Sequence, residues 1–269
     1  AAAALLAALV AYGAKVAARP GVVRDDLVQP PARAALPAGA MAIMLAAAAV
    51  EPHAEGAARV LLPLGMALHI TAMGLVATLL AGQGTPMRVV TPLLFLPFVG
   101  LIVSPFAAIP LGWTQLVEIV FALTLIPFVV ILAGSLRTLL GAPVPVPQRA
   151  PLAIFVAPIA VYATVAGLLG WDMLCLAFTA AAVGATLPLL ARAPWLLQGG
   201  WNPGWGSFTF PLAALAGALA VAAERWEPLG LLAAPALAAA SVICPWLAWR
   251  AFRAWTTGVL AAKTAAATA

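Results

Sequence analysis

Residues 113–138 read WTQLVEIVFALTLIPFVVILAGSLRT, and no charged side chain falls between Glu118 and Arg137. A helix needs about 20 apolar residues to cross roughly 30 Å of hydrocarbon. This stretch has that length and that composition. Cut at charges and at Gly/Pro clusters, the chain yields nine such runs: approximately 1–18, 35–50, 58–82, 89–110, 113–138, 151–170, 173–192, 206–223 and 229–252. Of the 269 residues, 65% are hydrophobic and 8% charged, where a soluble domain carries about 25% charged residues. Thirteen Lys and Arg and eight Asp and Glu cannot cover a soluble protein of this size. A soluble enzyme, a nucleic-acid binder and a disordered chain are excluded. The strand alternation of a membrane barrel is absent. Backbone polar groups in lipid must be satisfied within the segment, so the expected fold is an all-α polytopic membrane protein. It forms one transmembrane domain over residues 1–269.

The charges test the span count independently. If the first residue lies outside and the chain alternates, the inside segments carry Lys15, Arg19, Arg24, Arg33, Arg88, Arg137, Arg149, Arg192, Arg250, Arg253 and Lys263. The outside segments hold only Arg59 and Arg225 among the basic residues, with Glu51, Glu55, Asp172, Glu224 and Glu227. This is the positive-inside pattern of a multi-pass protein in the cell inner (plasma) membrane with a cytoplasmic C-terminus. It also accounts for the net charge of +5 without nucleic acid. Trp113, Trp171, Trp195 and Trp226 fall at expected span ends, where indole rings prefer to sit. The Pro-rich linker 141–151, GAPVPVPQRAP, separates the first five runs from the last four. Cys175 and Cys244 lie inside apolar runs and read as small buried hydrophobes. The chain opens without Met in an apolar run, with no signal peptide pattern, and has the character of the interior of a longer protein.

Prolines interrupt many runs: Pro63, Pro97, Pro105, Pro127, Pro158, Pro188, Pro211, Pro235 and Pro245. Membrane helices tolerate single prolines, but Pro92, Pro97 and Pro105 share one run. Backbone groups freed there become usable where they face a water-filled path. The ionisable candidates for an intramembrane site are Glu118, His69 and Lys15. Glu118 reads as an outer-interface carboxylate or as a buried proton or ion site. His69 reads as a helix-packing hydrogen-bond partner or as a coupling residue. Lys15 reads as a snorkelling side chain at the inner end. No ladder of buried carboxylates is visible, which argues against a cation pump or a strongly proton-coupled transporter. No HExxH, CxxC, GxSxG or P-loop pattern occurs, so neither enzyme chemistry nor a metal or other cofactor has candidate residues.

Residues 201–211 read WNPGWGSFTFP. Trp201 and Trp205 mark an interface, Gly204 and Gly206 leave little bulk, and Pro211 is expected to break the helix ladder. Phe208 and Phe210 face roughly 200° apart on a helix. One ring can point to a lumen while the other packs, and a ring beside a proline kink can plug a narrow pore. The alternative is a pair of core aromatics.

The stretch GWGSFTFPLAALAGA resembles the ninth helix of the tellurite-resistance/dicarboxylate transporter family, which includes bacterial tellurite-resistance proteins and the plant slow anion channels. Residues 91–113, TPLLFLPFVGLIVSPFAAIPLGW, are similar to the family's fifth helix, with Thr91 in place of a His. RAPLAIFVAPIAV at 149–161 resembles the seventh, with Ala157-Pro158, and PPAR at 30–33 resembles the segment before the third, keeping Pro31 and Arg33. Gly206 stands where the family usually has a second Trp, and Pro37 falls earlier than the family's proline. The resemblance covers essentially the whole chain.

What it implies is concrete. The family fold has ten helices in hairpins around a central pore, and members assemble as homotrimers. The nine runs then correspond to helices two to ten, with the first, pore-lining helix missing from this sequence. The gating phenylalanine maps onto Phe210. The pore lining maps near Pro37, Pro97, Gly100, Pro158, Phe208, Thr209 and Pro211, with Phe208 expected to pack. Arg33 is the candidate for anion attraction. The leading functional expectation is a permease that passes small inorganic or carboxylate anions across the bilayer. The alternative is a proton-coupled transporter of C4-dicarboxylate, sulfite or tellurium oxyanions, with Glu118 or His69 as the coupling residue.

Overall fold

The computed structural model describes residues 2–82 and 90–260, without the side chains of Pro30 and residues 2–4. Arg88 and Lys263, placed inside by the charge pattern, lie outside the described residues. Every regular element among the described residues is helical. Contacts divide the chain into two units: among the described residues the second comprises Val129–Leu260 with Val90–Pro92, and the first comprises the rest.

The first unit opens with α1 (Ala2–Ala18) and α2 (Val22–Val28), which meet at a bend of 113°. The bend is tied from within. Lys15 Nζ lies 3.2 Å from an Asp26 carboxylate oxygen, and the Tyr12 hydroxyl donates to the same oxygen at 3.3 Å. Lys15 therefore does not snorkel: its partner Asp26 is 4% exposed and provides the buried carboxylate that the sequence reading had not expected. α3 (Pro30–Val50) and α4 (Glu55–Gly82) form a hairpin. They approach closely at Gly65, where a Cβ would come within 2.7 Å of Met44 Cγ.

The run expected over 89–110 is not one helix. It consists of the 3-10 turn Pro92–Leu94, α5 (Phe95–Val99), a 3-10 segment Gly100–Val103 and α6 (Pro105–Ala108). Pro92, Pro97 and Pro105 each lack an N–H and hold φ fixed, so a continuous helical ladder cannot form across them. Among the described residues seven helices are long and apolar enough to cross a membrane, or eight if the bent α1–α2 pair is one span. The expected nine is corrected at these two segments, one bent and one broken.

The chain leaves α6 through Gly112 at φ +76°. Trp113 N–H donates to Ala108 O and Gly112 N–H to Ile109 O, the paired bonds of a Schellman cap. α7 (Thr114–Gly141) follows directly. The second unit repeats the device. α8 (Val156–Leu168) ends at Gly170, φ +76°, with Trp171 N–H on Ala166 O and Gly170 N–H on Gly167 O. Each Gly-Trp pair thus closes one helix and seats an indole at the start of the next.

α9 (Asp172–Ala191) packs back along α8, with Phe178 stacked on Tyr162 at 5.3 Å. The short α10 (Ala193–Leu196) leads to α11 (Thr209–Ala223) and α12 (Gly230–Thr256), a hairpin that packs α11 on α8. Arg225 clamps the turn end of this unit, donating to Asp172 at 2.5 Å and also to the Gly167 carbonyl. α8 is buried continuously from Val156 to Gly167.

Candidate functional site

Three apolar segments share one local design. In each, a 3-10 turn runs straight into an α-helix whose third residue is proline: Phe95-Leu96-Pro97 opens α5, Val156-Ala157-Pro158 opens α8, and Thr209-Phe210-Pro211 opens α11. The first N–H groups of an α-helix have no intrahelical partner, so a proline there removes no α-helical bond. Pro211 therefore does not break the ladder, as the sequence reading expected. It sits inside the start of a helix. No side chain caps the three starts, and the preceding 3-10 turn continues the chain instead. The sequence showed the prolines but not this common register, because a 3-10 turn and an α turn have the same apolar composition.

In the second unit the 3-10 turn Pro203–Phe208 begins with a side-chain cap, Asn202 Oδ1 accepting from Gly204 N at 2.9 Å. The junction is held at its end by Thr209. Its hydroxyl donates back to Gly206 O at 2.7 Å, and its carbonyl accepts from Cys244 Sγ of α12 at 3.2 Å. Cys244 is thus a tether rather than a mere filler. The Phe208 ring stands edge-on to Trp205 at 6.1 Å. Phe210 is half-buried and has no aromatic partner among the described residues. One ring has an aromatic partner and its neighbour has none among the described residues. Pro158 and Pro211 are buried.

In the first unit the structure brings four of the expected residues together. His69 of α4 is completely buried. Its Nδ1 lies 3.4 Å from Pro37 O of α3 and its Nε2 lies 3.1 Å from Pro97 O of α5. Both partners are acceptors. A neutral imidazole has one N–H and can donate to only one of them, whereas an imidazolium donates to both. Gly100 closes the cluster: a Cβ there would come within 2.6 Å of Met41 Sδ and 2.7 Å of His69 Cε1. Gly100→Ala is expected to lower stability by about 1–3 kcal/mol through overpacking, read as a fall in the apparent unfolding temperature in detergent. Gly74→Ala on the same helix as His69 meets no atom within 4 Å and is the neutral control. Equal behaviour of the two variants would refute this packing.

The remaining candidates lie elsewhere. Arg33 donates to Leu27 O at 2.8 Å and to Val28 O at 3.1 Å. Its guanidinium serves the last carbonyls of α2, where a cation is favoured by the helix dipole. Glu118 is exposed on the second turn of α7. Asp26, Cys244 and the Trp205 anchor were missed in the sequence. The adjacent acids Asp25-Asp26, eleven residues after an intramembrane Lys15, were the available signal for the first of them.

The model of the voltage-dependent anion channel family matches residues 1–257. No curated protein matches the chain. The chain belongs to the voltage-dependent anion channel family, the tellurite-resistance/dicarboxylate transporter group anticipated from its motifs. It is a multi-pass membrane protein of a family of anion channels and transporters.

Proposed function

We propose that the chain is an anion channel in which the ring of Phe210 closes the conduction path. The reading rests on one observation: Phe210, at a proline-bearing helix start, has no aromatic partner among the described residues, while its neighbour Phe208 stands edge-on to Trp205. In the four proline segments of interest the residue before Pro37, Pro97, Pro158 and Pro211 is Leu36, Leu96, Ala157 and Phe210. Only the last supplies a large flat side chain. The residues expected to line the path, Pro37, Pro97, Gly100, Pro158, Thr209 and Pro211, are all uncharged. Such a path binds anions weakly and releases them quickly. The basic residues of the inner loops, Arg33 among them, raise the local anion concentration. The working form is a homotrimer in the plasma membrane with its C-terminus in the cytoplasm, and its role is transport rather than enzymatic turnover.

The test is voltage-driven flux of chloride, nitrate and malate in proteoliposomes. Chloride or nitrate flux that follows the imposed voltage supports a channel. Malate uptake that follows a proton gradient and ignores voltage-driven chloride opposes it.

A proton-coupled transporter is the second reading, and the His69 cluster favours it. A buried imidazole between two carbonyls from different segments ties them more strongly when it carries a second proton. The same proton would then accompany the anion. His69→Gln, whose amide NH2 still donates to a carbonyl but cannot gain a proton, is expected to abolish the pH dependence of uptake while preserving the fold. Uptake with unchanged pH dependence in that variant would exclude His69 as the coupling group. Glu118, exposed on α7, has no comparable support.

A further inference from the structure

The C-terminal end of α12 carries a second arrangement, independent of the conduction path. Trp246, Trp249, Arg250, Arg253 and Thr257 are spaced three or four apart and form one stripe on the helix. Trp201, from the loop ahead of the 3-10 turn Pro203–Phe208, faces that stripe. Together they line an open pocket of about 300 Å³. The guanidinium of Arg250 lies over the Trp201 ring at 4.8 Å and over the Trp246 ring at 5.2 Å, and that of Arg253 lies over Trp249 at 5.7 Å.

Stacking occupies the faces of a guanidinium and leaves its in-plane N–H edges for an acceptor. Among the described residues neither Arg250 nor Arg253 joins an ion pair or donates a side-chain hydrogen bond. The contrast within the same unit is Arg149. It lies over Trp195 at 4.6 Å, but its N–H groups are used on Val144 O and Gln198 Oε1. Among the described residues no Asp or Glu pairs with either arginine.

The surroundings identify the occupant. Along α12 the exposed face that carries this stripe is apolar at Leu231 and Val242, then becomes aromatic at Trp246 and Trp249. This is a surface for an acyl chain that ends in an interfacial indole belt and then in two unpaired cations. We infer that this pocket binds the phosphodiester headgroup of an anionic glycerophospholipid, with Arg250 and Arg253 as the phosphate donors and the Trp rings as their shelf. Basic pockets beside membrane helices take anionic headgroups in this manner. A stacked, pre-oriented guanidinium recognises phosphate through two parallel N–H bonds.

The experiment measures lipid retained by the full chain purified from vesicles of phosphatidylcholine with phosphatidylglycerol as minor component. The wild type is expected to retain phosphatidylglycerol above its bulk share. The double variant Arg250→Gln/Arg253→Gln is expected to lose roughly tenfold or more of that preference. Arg137→Gln, which removes an exposed cation on α7, is expected to retain it. Arg250→Lys keeps the charge without the planar fork and is expected to fall between. Unfolding temperatures for each variant separate lost binding from lost fold. Retention unchanged in the double variant overturns the inference. So does displacement of the lipid by inorganic phosphate alone, which would make the pocket a free-anion site.

Discussion

Phe210→Ala is expected to raise chloride and nitrate conductance about tenfold at equal surface expression, which corresponds to ~1.4 kcal/mol of barrier. The size follows from what the ring must do. If it plugs the path, each passage requires it to leave its rotamer well, and an off-rotamer excursion costs of order 0.5–1.5 kcal/mol. Truncation to Ala removes that step. Phe210→Leu, smaller but still branched, is expected to lie between wild type and Ala. The neighbouring ring provides the contrast. Phe208 is edge-on to Trp205 at 6.1 Å, a geometry worth about 0.5–1.5 kcal/mol beyond burial. Phe208→Ala is therefore expected to lower stability and leave conductance near wild type. If Phe208→Ala opened the path and Phe210→Ala did not, the roles of the two rings would be exchanged and the proposed gate abandoned.

Lys15→Met is expected to destabilise the protein by about 3 kcal/mol, near the lower end for breaking a buried ion pair. The lower end applies because the Lys15 side chain is 21% exposed while that of Asp26 is 6% exposed. The variant leaves the Asp26 charge buried with only the Tyr12 hydroxyl as partner, at 3.3 Å. Replacing both members, Lys15→Met with Asp26→Leu, removes both charges and is expected to recover most of the loss. Apparent unfolding temperatures in one detergent, compared across the cycle, decide the matter. A double variant as unstable as Lys15→Met would mean that the carboxylate has a role in the α1–α2 bend beyond pairing with Lys15.

Much of the architecture follows from local chemistry. Runs of apolar residues between charges located all seven spanning helices. Trp113 and Trp171 marked span ends as interfacial indoles, and the structure adds that each follows a glycine at positive φ that makes the Schellman cap there. The run over 89–110 misled because apolar composition says how much of a segment prefers lipid, not whether its backbone ladder is continuous. Three prolines decide that, and they divide it into pieces of five residues or fewer. The site was legible in residue type and not in register. Pro97, Pro158 and Pro211 were visible, but their common place at the third position of a helix depends on where each 3-10 turn gives way to α geometry.

By itself, then, the sequence determined that this chain is a membrane-embedded helical protein, where its seven long apolar helices lie, and which family it resembles. Tertiary structure alone decided what each helix faces. α8 and α12 are both apolar, yet α8 is buried without a break from Val156 to Gly167 and α12 buries only Ala240, Leu247 and Ala254. In water, a helix shows its core face by alternating apolar and polar residues. In a bilayer, lipid and protein interior are equally apolar, so that alternation carries no information. The partners of the few polar groups had to come from the fold: Asp26 for Lys15, two proline carbonyls for His69, and indole faces for Arg250.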